Sequence, residues 1–281
     1  ATQDCSNKFA VSRLIYGFPF TLPFPDLDNT ECLIIVGANP LVSKWSFLQV
    51  PNPGKKLKDL ERRGAKLFIV DPRKTETASI AGEHVFIRPS TDVFFYLSFL
   101  HELIEQNGIK EDFIKEHSSG IEEIKKLVST WPAAKTAGVT GIDAELLKRM
   151  VSTYIKANGA ALYCSTGVNM GGNGSLSYWL QEVINAISGN LDKQGGTLVG
   201  SGVMDFIKFG VKNGILMRKD RTRIGDFGAV NDAYPGGLLA DEILTEGKGQ
   251  HKALFVTGGN PLITMPNAEK LKTAFKKLEL L

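Results

Sequence analysis

An apolar run leading into Gly-x-Asn-Pro-Leu occurs twice in this chain. It is found as Cys32-Leu-Ile-Ile-Val-Gly-Ala-Asn-Pro-Leu41, and again where Leu254–Val256 leads into Gly258-Gly-Asn-Pro-Leu262. A short uncharged run of this kind suits a strand buried on both faces, and so a parallel sheet. The glycine at its end lets another group come close to the backbone, the asparagine can bond a ligand or its own turn, and the proline fixes the exit. One copy is most simply a strand-to-helix turn. Two copies favour a shared role in ligand binding, because ligands of open α/β sheets sit at the carboxyl ends of the strands.

Further apolar runs at Leu67–Val70, Val85–Ile87 and Ala160–Cys164 read as companion strands. Helical periodicity lies between them. Ser175–Ser188 places Leu176, Trp179, Leu180, Val183, Ile184 and Ile187 on one stripe, with Ser175 to cap its start and Gly189 to end it. Val93 to about Asn107 follows a cap at Asp92 or Thr91, and Ala144–Ala157 follows Asp143. The alternation predicts α/β architecture with doubly wound, Rossmann-like parallel sheets. Residues 195–249 are Gly-rich and charged with little periodicity, which predicts a long loop excursion. Because that excursion separates the two copies, we expect two lobes: residues 1–160, and residues 161–281 as part of a second, incomplete one.

With 281 residues and 43% hydrophobic content the chain has room for one large domain or two ordinary ones. Its net charge of +3 gives no field strong enough to argue for nucleic acid or an anionic membrane as partner, while a small or locally bound anion stays possible. Cys5, Cys32 and Cys164 are an odd number without a CxxC pair, which disfavours a disulfide scaffold or a structural zinc site. No run approaches the roughly 20 apolar residues of a membrane span, and the N-terminus lacks signal-peptide features, so a cytoplasmic setting is expected. Ala1 begins without Met and Leu278–Leu281 stops in what reads as the opening of a strand, so the segment is expected to be a fragment and a periplasmic setting stays open.

Three strand ends carry polar residues. After the Asn39 loop comes Val70-Asp71-Pro72-Arg73-Lys74, where a carboxylate can take ribose hydroxyls and the basic pair can meet phosphate. The third is Arg88-Pro89-Ser90-Thr91-Asp92. Each alone is explained by a turn or a helix cap, but together they make a plausible nucleotide edge. Gly167-Val-Asn-Met-Gly-Gly-Asn-Gly174 lies between a strand and a helix and suits a phosphate, weakly. GxGxxG after a strand and GxxxxGK[ST] are both absent, which removes dinucleotide dehydrogenases and P-loop enzymes. The four histidines, His84, His101, His117 and His251, join no nucleophile motif, and no catalytic residue is identified.

In order, IIVGANPLVS, FIVDPRKTETA, HVFIRPSTD, STGVNMGGNGSLSYWLQEVINAISGNLDKQGG and ALFVTGGNPL resemble the molybdopterin guanine dinucleotide oxidoreductases, the dimethyl sulfoxide reductase superfamily. The resemblance implies two α/β lobes around one molybdenum or tungsten, each lobe holding mainly one pterin guanine dinucleotide. It sets Gly37, Asn39, Asp71, Arg73, Thr91 and Asp92 against one guanosine diphosphate moiety and Gly258 and Asn260 against the other. Gly167 and Asn169 would line the path between lobes. Cys5 stands about where relatives carry a metal ligand, with Asp4 and Ser6 as neighbours. An iron–sulfur cluster would belong to a missing N-terminal domain, and a small-molecule substrate and an iron–sulfur electron-transfer partner are implied. Formate dehydrogenases place His after the metal ligand and carry an Arg without an obvious match here; Ser6 in that place speaks against formate. The alternatives are a cofactor-free structural relative, such as the large iron–sulfur subunit of respiratory complex I, and a generic nucleotide-binding module. The first would have lost the strand-end polar residues, and the second would bind guanine nucleotide without metal chemistry.

Overall fold

The computed structural model describes residues 4–44, 50–200, 203–215 and 218–281. The main sheet has four strands, β1 (Cys32–Val36), β2 (Lys66–Val70), β3 (Glu83–Val85) and β4 (Ala160–Cys164). Their spatial order is β3-β2-β1-β4, and every neighbouring pair is parallel. Every residue of β1 and β4 is buried, as expected for strands covered on both faces.

Strand alternation divides the core into two layers. Ile34, Val36, Phe68, Val70 and Leu162 join the cluster that includes residues of three helices: α2 (Asp92–Glu105), α3 (Ala144–Lys156) and α4 (Gly174–Ile187). Leu33, Ile35, Leu67 and Ile69 join Leu57 and Leu60 of α1 (Pro53–Arg62) on the other face. Each such aliphatic side chain contributes on the order of 1.5–3 kcal/mol on burial. The chain winds outward from β1 through β2 to β3, then returns to set β4 on the far side of β1. That reversal is the doubly wound arrangement expected, and open α/β sheets bind their ligands beyond the carboxyl ends of the strands at such a point.

Several boundaries differ from the sequence expectation. β3 pairs over Glu83–Val85 and not Val85–Ile87, because beyond Val85 the Arg88 N–H bonds the Thr140 carbonyl at 2.8 Å in place of a strand neighbour. α4 begins at Gly174 with Asn173 as its cap position, and ends before Gly189, whose φ is +72°. Its buried face is not the apolar stripe alone. Leu176 is 43% exposed, while Gln181, Glu182 and Asn185 are buried.

The inward asparagine has a reason. β4 is an edge strand, and Asn185 accepts from the Leu162 N–H at 3.1 Å and donates to the Leu162 carbonyl at 2.9 Å. Asn190 accepts from the Ala160 N–H at 3.1 Å. Two amide side chains therefore complete the outer edge of the sheet as a further strand would. Tyr154 of α3 donates to Asn185 at 2.9 Å, joining the same network.

The chain divides into two compact units, residues 11–200, and residues 1–10 with 201–281. The first unit runs past the expected boundary near residue 160, since β4 pairs with β1 along its whole length. In the second unit the helices Leu239–Leu244 and Ala268–Phe275 pack through Ala240, Ile243, Leu271 and Ala274. The excursion 195–249 is not all loop: Phe206–Asn213 and Leu239–Leu244 are helical. The expected strand Leu254–Val256 is reduced to one parallel bridge, Ala253 to Leu280, and Phe255 is 90% exposed. An apolar run becomes a strand only beside a partner, and among the described residues only that bridge supplies one.

Candidate functional site

The two Gly-x-Asn-Pro-Leu units fold alike. Gly37 has φ +56° and Gly258 has φ +68°, a left-handed conformation that favours glycine. Asn39 and Asn260 then stand at the cap positions of the one-turn helices Pro40–Ser43 and Pro261–Thr264, each with proline in the first turn. Their side chains diverge. Asn260 caps its own helix, accepting from the Leu262 N–H at 3.1 Å. Asn39 instead reaches across to the loop after β2.

That loop, Asp71–Thr77, is tied in by Thr77, which is fully buried. The Thr77 hydroxyl donates to Asn39 Oδ1 at 2.7 Å and accepts from the Leu41 N–H at 3.2 Å, and the Thr77 N–H donates to the same Asn39 oxygen at 3.3 Å. Asn39 Nδ2 donates to Glu76 at 2.7 Å. Glu76 also receives the Arg73 guanidinium at 3.1 and 3.5 Å, and these donors hold its carboxyl down at about 2. Arg73 is exposed, and its N–H donates to Asp71 Oδ1 at 2.9 Å. Neither Glu76 nor Thr77 was singled out from sequence. The Arg73/Glu76 spacing was the available signal.

Asp71 follows β2, and Asp92 opens α2 just beyond β3. Both are half-buried, and burial pushes both carboxyls above the usual range, with the charge of Asp71 adding to the effect at Asp92. They form an acceptor pair suited to N–H or O–H donors. His84 Nε2 lies 2.9 Å from the Asp71 carbonyl. Thr91 is the cap position of α2, but its hydroxyl donates to the Arg88 carbonyl at 2.7 Å and neither it nor Asp92 makes a side-chain cap.

The strand ends of β1 and β4 are stapled together. The Gly167 N–H donates to the Gly37 carbonyl at 2.9 Å, and a Cβ on either glycine would come within 2.8 Å of the other loop's backbone. The open space beside Gly37 is thus filled by Gly167, with Gly167 itself exposed on its other side. Asn169, expected along the path between lobes, is buried within the first unit at 2% exposure, where the Cys164 thiol lies 3.9 Å from its Oδ1.

The structure therefore brings Gly37, Asn39, Asp71, Arg73, Thr91, Asp92 and Gly167 to one sheet edge and turns Asn169 inward. Gly258 and Asn260 are exposed in the second unit. Cys5 directly precedes the helix Ser6–Tyr16 and is half-buried; burial and the neighbouring Asp4 push its thiol up to about 11. Among the described residues no group of three His, Cys, Asp or Glu side chains could hold a metal ion. A metal here would need most of its ligands from outside the chain. Acceptors at Asp71 and Asp92 and the exposed guanidinium of Arg73 do fit a guanosine diphosphate moiety in chemical type.

The family model described as molybdopterin oxidoreductase matches residues 2–281. The F420-dependent formate dehydrogenase 1 subunit alpha of Methanococcus maripaludis is 24% identical over 279 residues, covering 91% of this chain and 38% of the relative. Formate dehydrogenase H of Escherichia coli is 24% identical over 282 residues, covering 91% and 37%. Among solved structures, acetylene hydratase from Pelobacter acetylenicus superposes with a TM-score of 0.61 at 25% identity, covering 69% of this chain and 26% of that one. The chain thus spans under two-fifths of the length of these curated relatives. On a match that runs essentially from end to end, this chain belongs to the molybdopterin oxidoreductase family.

Proposed function

We propose that this chain is the cofactor-holding part of a molybdenum or tungsten oxidoreductase subunit that carries the metal on pterin guanine dinucleotides. The observation that carries the proposal is the turn built twice, with left-handed glycine, asparagine at the cap and proline in the first helical turn. Two like turns on two units suit two like ligands. At the first, Asp71 and Asp92 accept from guanosine N–H and O–H groups, and Arg73 meets the diphosphate. At the second, Gly258 and Asn260 face the other dinucleotide. Cys5 is the residue that would supply a protein ligand to the metal, as a thiolate.

When bound, the metal–pterin group supplies two-electron redox chemistry; the residues here bind it, orient it and tune its surroundings. A small-molecule substrate and an iron–sulfur electron-transfer partner complete the proposal, in a cytoplasmic setting. No helix among the described residues is long and apolar enough to cross a membrane. The test is to express the complete protein and measure molybdenum, tungsten and pterin. Stoichiometric metal and two pterins per subunit are expected, and a folded complete protein without either refutes the proposal.

A further inference from the structure

Glu76 stands between Asn39 and Arg73, the residue assigned above to the diphosphate, yet has no part in that assignment. Both of its carboxylate oxygens are used locally. One accepts from Arg73 Nη1 at 3.5 Å, and the other accepts from Arg73 Nη2 at 3.1 Å and Asn39 Nδ2 at 2.7 Å. These are the donors a ligand phosphate would seek: a forked guanidinium and a side-chain amide.

Two readings of Glu76 are open, a strut that holds the loop or an anion that occupies the donors. The loop is held without it. Thr77 is fully buried and binds Asn39 Oδ1 twice, at 2.7 and 3.3 Å, and the Leu41 N–H at 3.2 Å. Glu76 and Arg73 are both more than half exposed, so water and salt screen their pair and an anion with more charge can replace the carboxylate. A diphosphate offers more oxygens and more charge to the same fork. The carboxyl, held down at about 2, stays ionised across the whole working range, so the exchange is driven by ligand and not by pH.

We propose that Glu76 is a built-in counter-ion that occupies Arg73 and Asn39 until an anionic ligand replaces it, and so sets the affinity of this edge for phosphate groups. The proposal rests on the diphosphate site proposed above. In the empty state Glu76 keeps the guanidinium folded over the sheet edge, already close to where it is needed. On binding, the carboxylate swings to solvent while Thr77 keeps Asn39 in place.

The test is calorimetric titration of GDP into the complete protein purified free of cofactor, at low salt, for wild type, Glu76→Gln, Arg73→Ala and the double variant. Thermal melts verify that each is folded, and Glu76→Ala provides a second removal of the charge. Glu76→Gln is expected to bind GDP three- to tenfold more tightly than wild type, Arg73→Ala at least tenfold more weakly, and the double variant no better than Arg73→Ala. Unchanged or weaker binding by Glu76→Gln, with Arg73→Ala still impaired, overturns the counter-ion and leaves the diphosphate site standing. An equal gain from Glu76→Gln with or without Arg73 also overturns it, because the effect would then be one of general charge. Absence of GDP binding in wild type and Glu76→Gln alike overturns both proposals.

Discussion

Replacing Asn185 by leucine is the sharpest test of how the first unit holds its sheet. The side chain of Asn185 is fully buried, accepts from the Leu162 N–H at 3.1 Å and donates to the Leu162 carbonyl at 2.9 Å. Leucine conserves most of the volume but can make neither bond. Each buried backbone group left without a partner costs about 1–3 kcal/mol, so the pair costs about 2–6 kcal/mol. Tyr154 also loses Asn185 but keeps Ser188 at 3.2 Å and adds little. The expected loss is about 3–5 kcal/mol, a large part of the stability of an ordinary domain. Guanidinium unfolding followed by the fluorescence of Trp131 and Trp179, both in this unit, measures it, with Asn185→Ala alongside. If the amide mattered only as filler, leucine would restore most of what alanine loses. A leucine variant within about 1 kcal/mol of wild type refutes the edge-completion argument. Self-association of either variant through the uncovered edge of β4 would support it further.

Gly37→Ala and Gly167→Ala should each cost about 1–3 kcal/mol, since the added Cβ meets backbone at 2.8 Å and has no flexible neighbour to displace; melting curves of the two single variants decide this. Asp92→Asn should leave stability at about pH 7 unchanged or higher. The Asp92 carboxyl is raised by burial in the folded state, so its ionisation removes stability as pH rises from the unfolded to the folded pKa, and the amide abolishes that loss; unfolding midpoints at about pH 3 and about pH 7 that move the opposite way would contradict the sign. Asp26 runs in the other direction, with backbone N–H donors including Gly195 and the Asn29 amide holding its carboxyl down, so its stabilisation is full above the unfolded pKa and fades as pH falls through the folded one; Asp26→Asn should flatten the acid limb of a stability–pH curve. Cys5, with its thiol up at about 11, should react with iodoacetamide at about pH 8 on the order of a hundredfold more slowly than an ordinary free thiol, and fast labelling would refute its burial.

The sheet was legible because β1 and β4 have no charged residue to obscure their burial, and the helix beside it because Asp143 caps α3 with two backbone bonds in the way its sequence announces. Gathering Asn39, Asp71 and Asp92 on one edge followed from parallel strands alone. The interior of α4 was not legible. Hydrophobic periodicity weights Leu176 as core and Asn185 as surface, and reverses only when the strand edge that Asn185 serves is known. The same holds for Asn169, which the family resemblance set along the path between the lobes while its side chain is buried beside Cys164. Leu254–Val256 fails for a complementary reason: its apolar character is a demand for neighbours, and sequence cannot say where the neighbours are.

The Gly37–Gly167 staple has a consequence for how this family could be remodelled. Each position is held to glycine by the main chain at the other, so no change of side chain at the partner makes room. Substitution cannot widen the gap at the strand reversal; only a longer loop after β1 or β4 can. Variation in what this sheet edge accepts should therefore enter as insertions flanking these glycines.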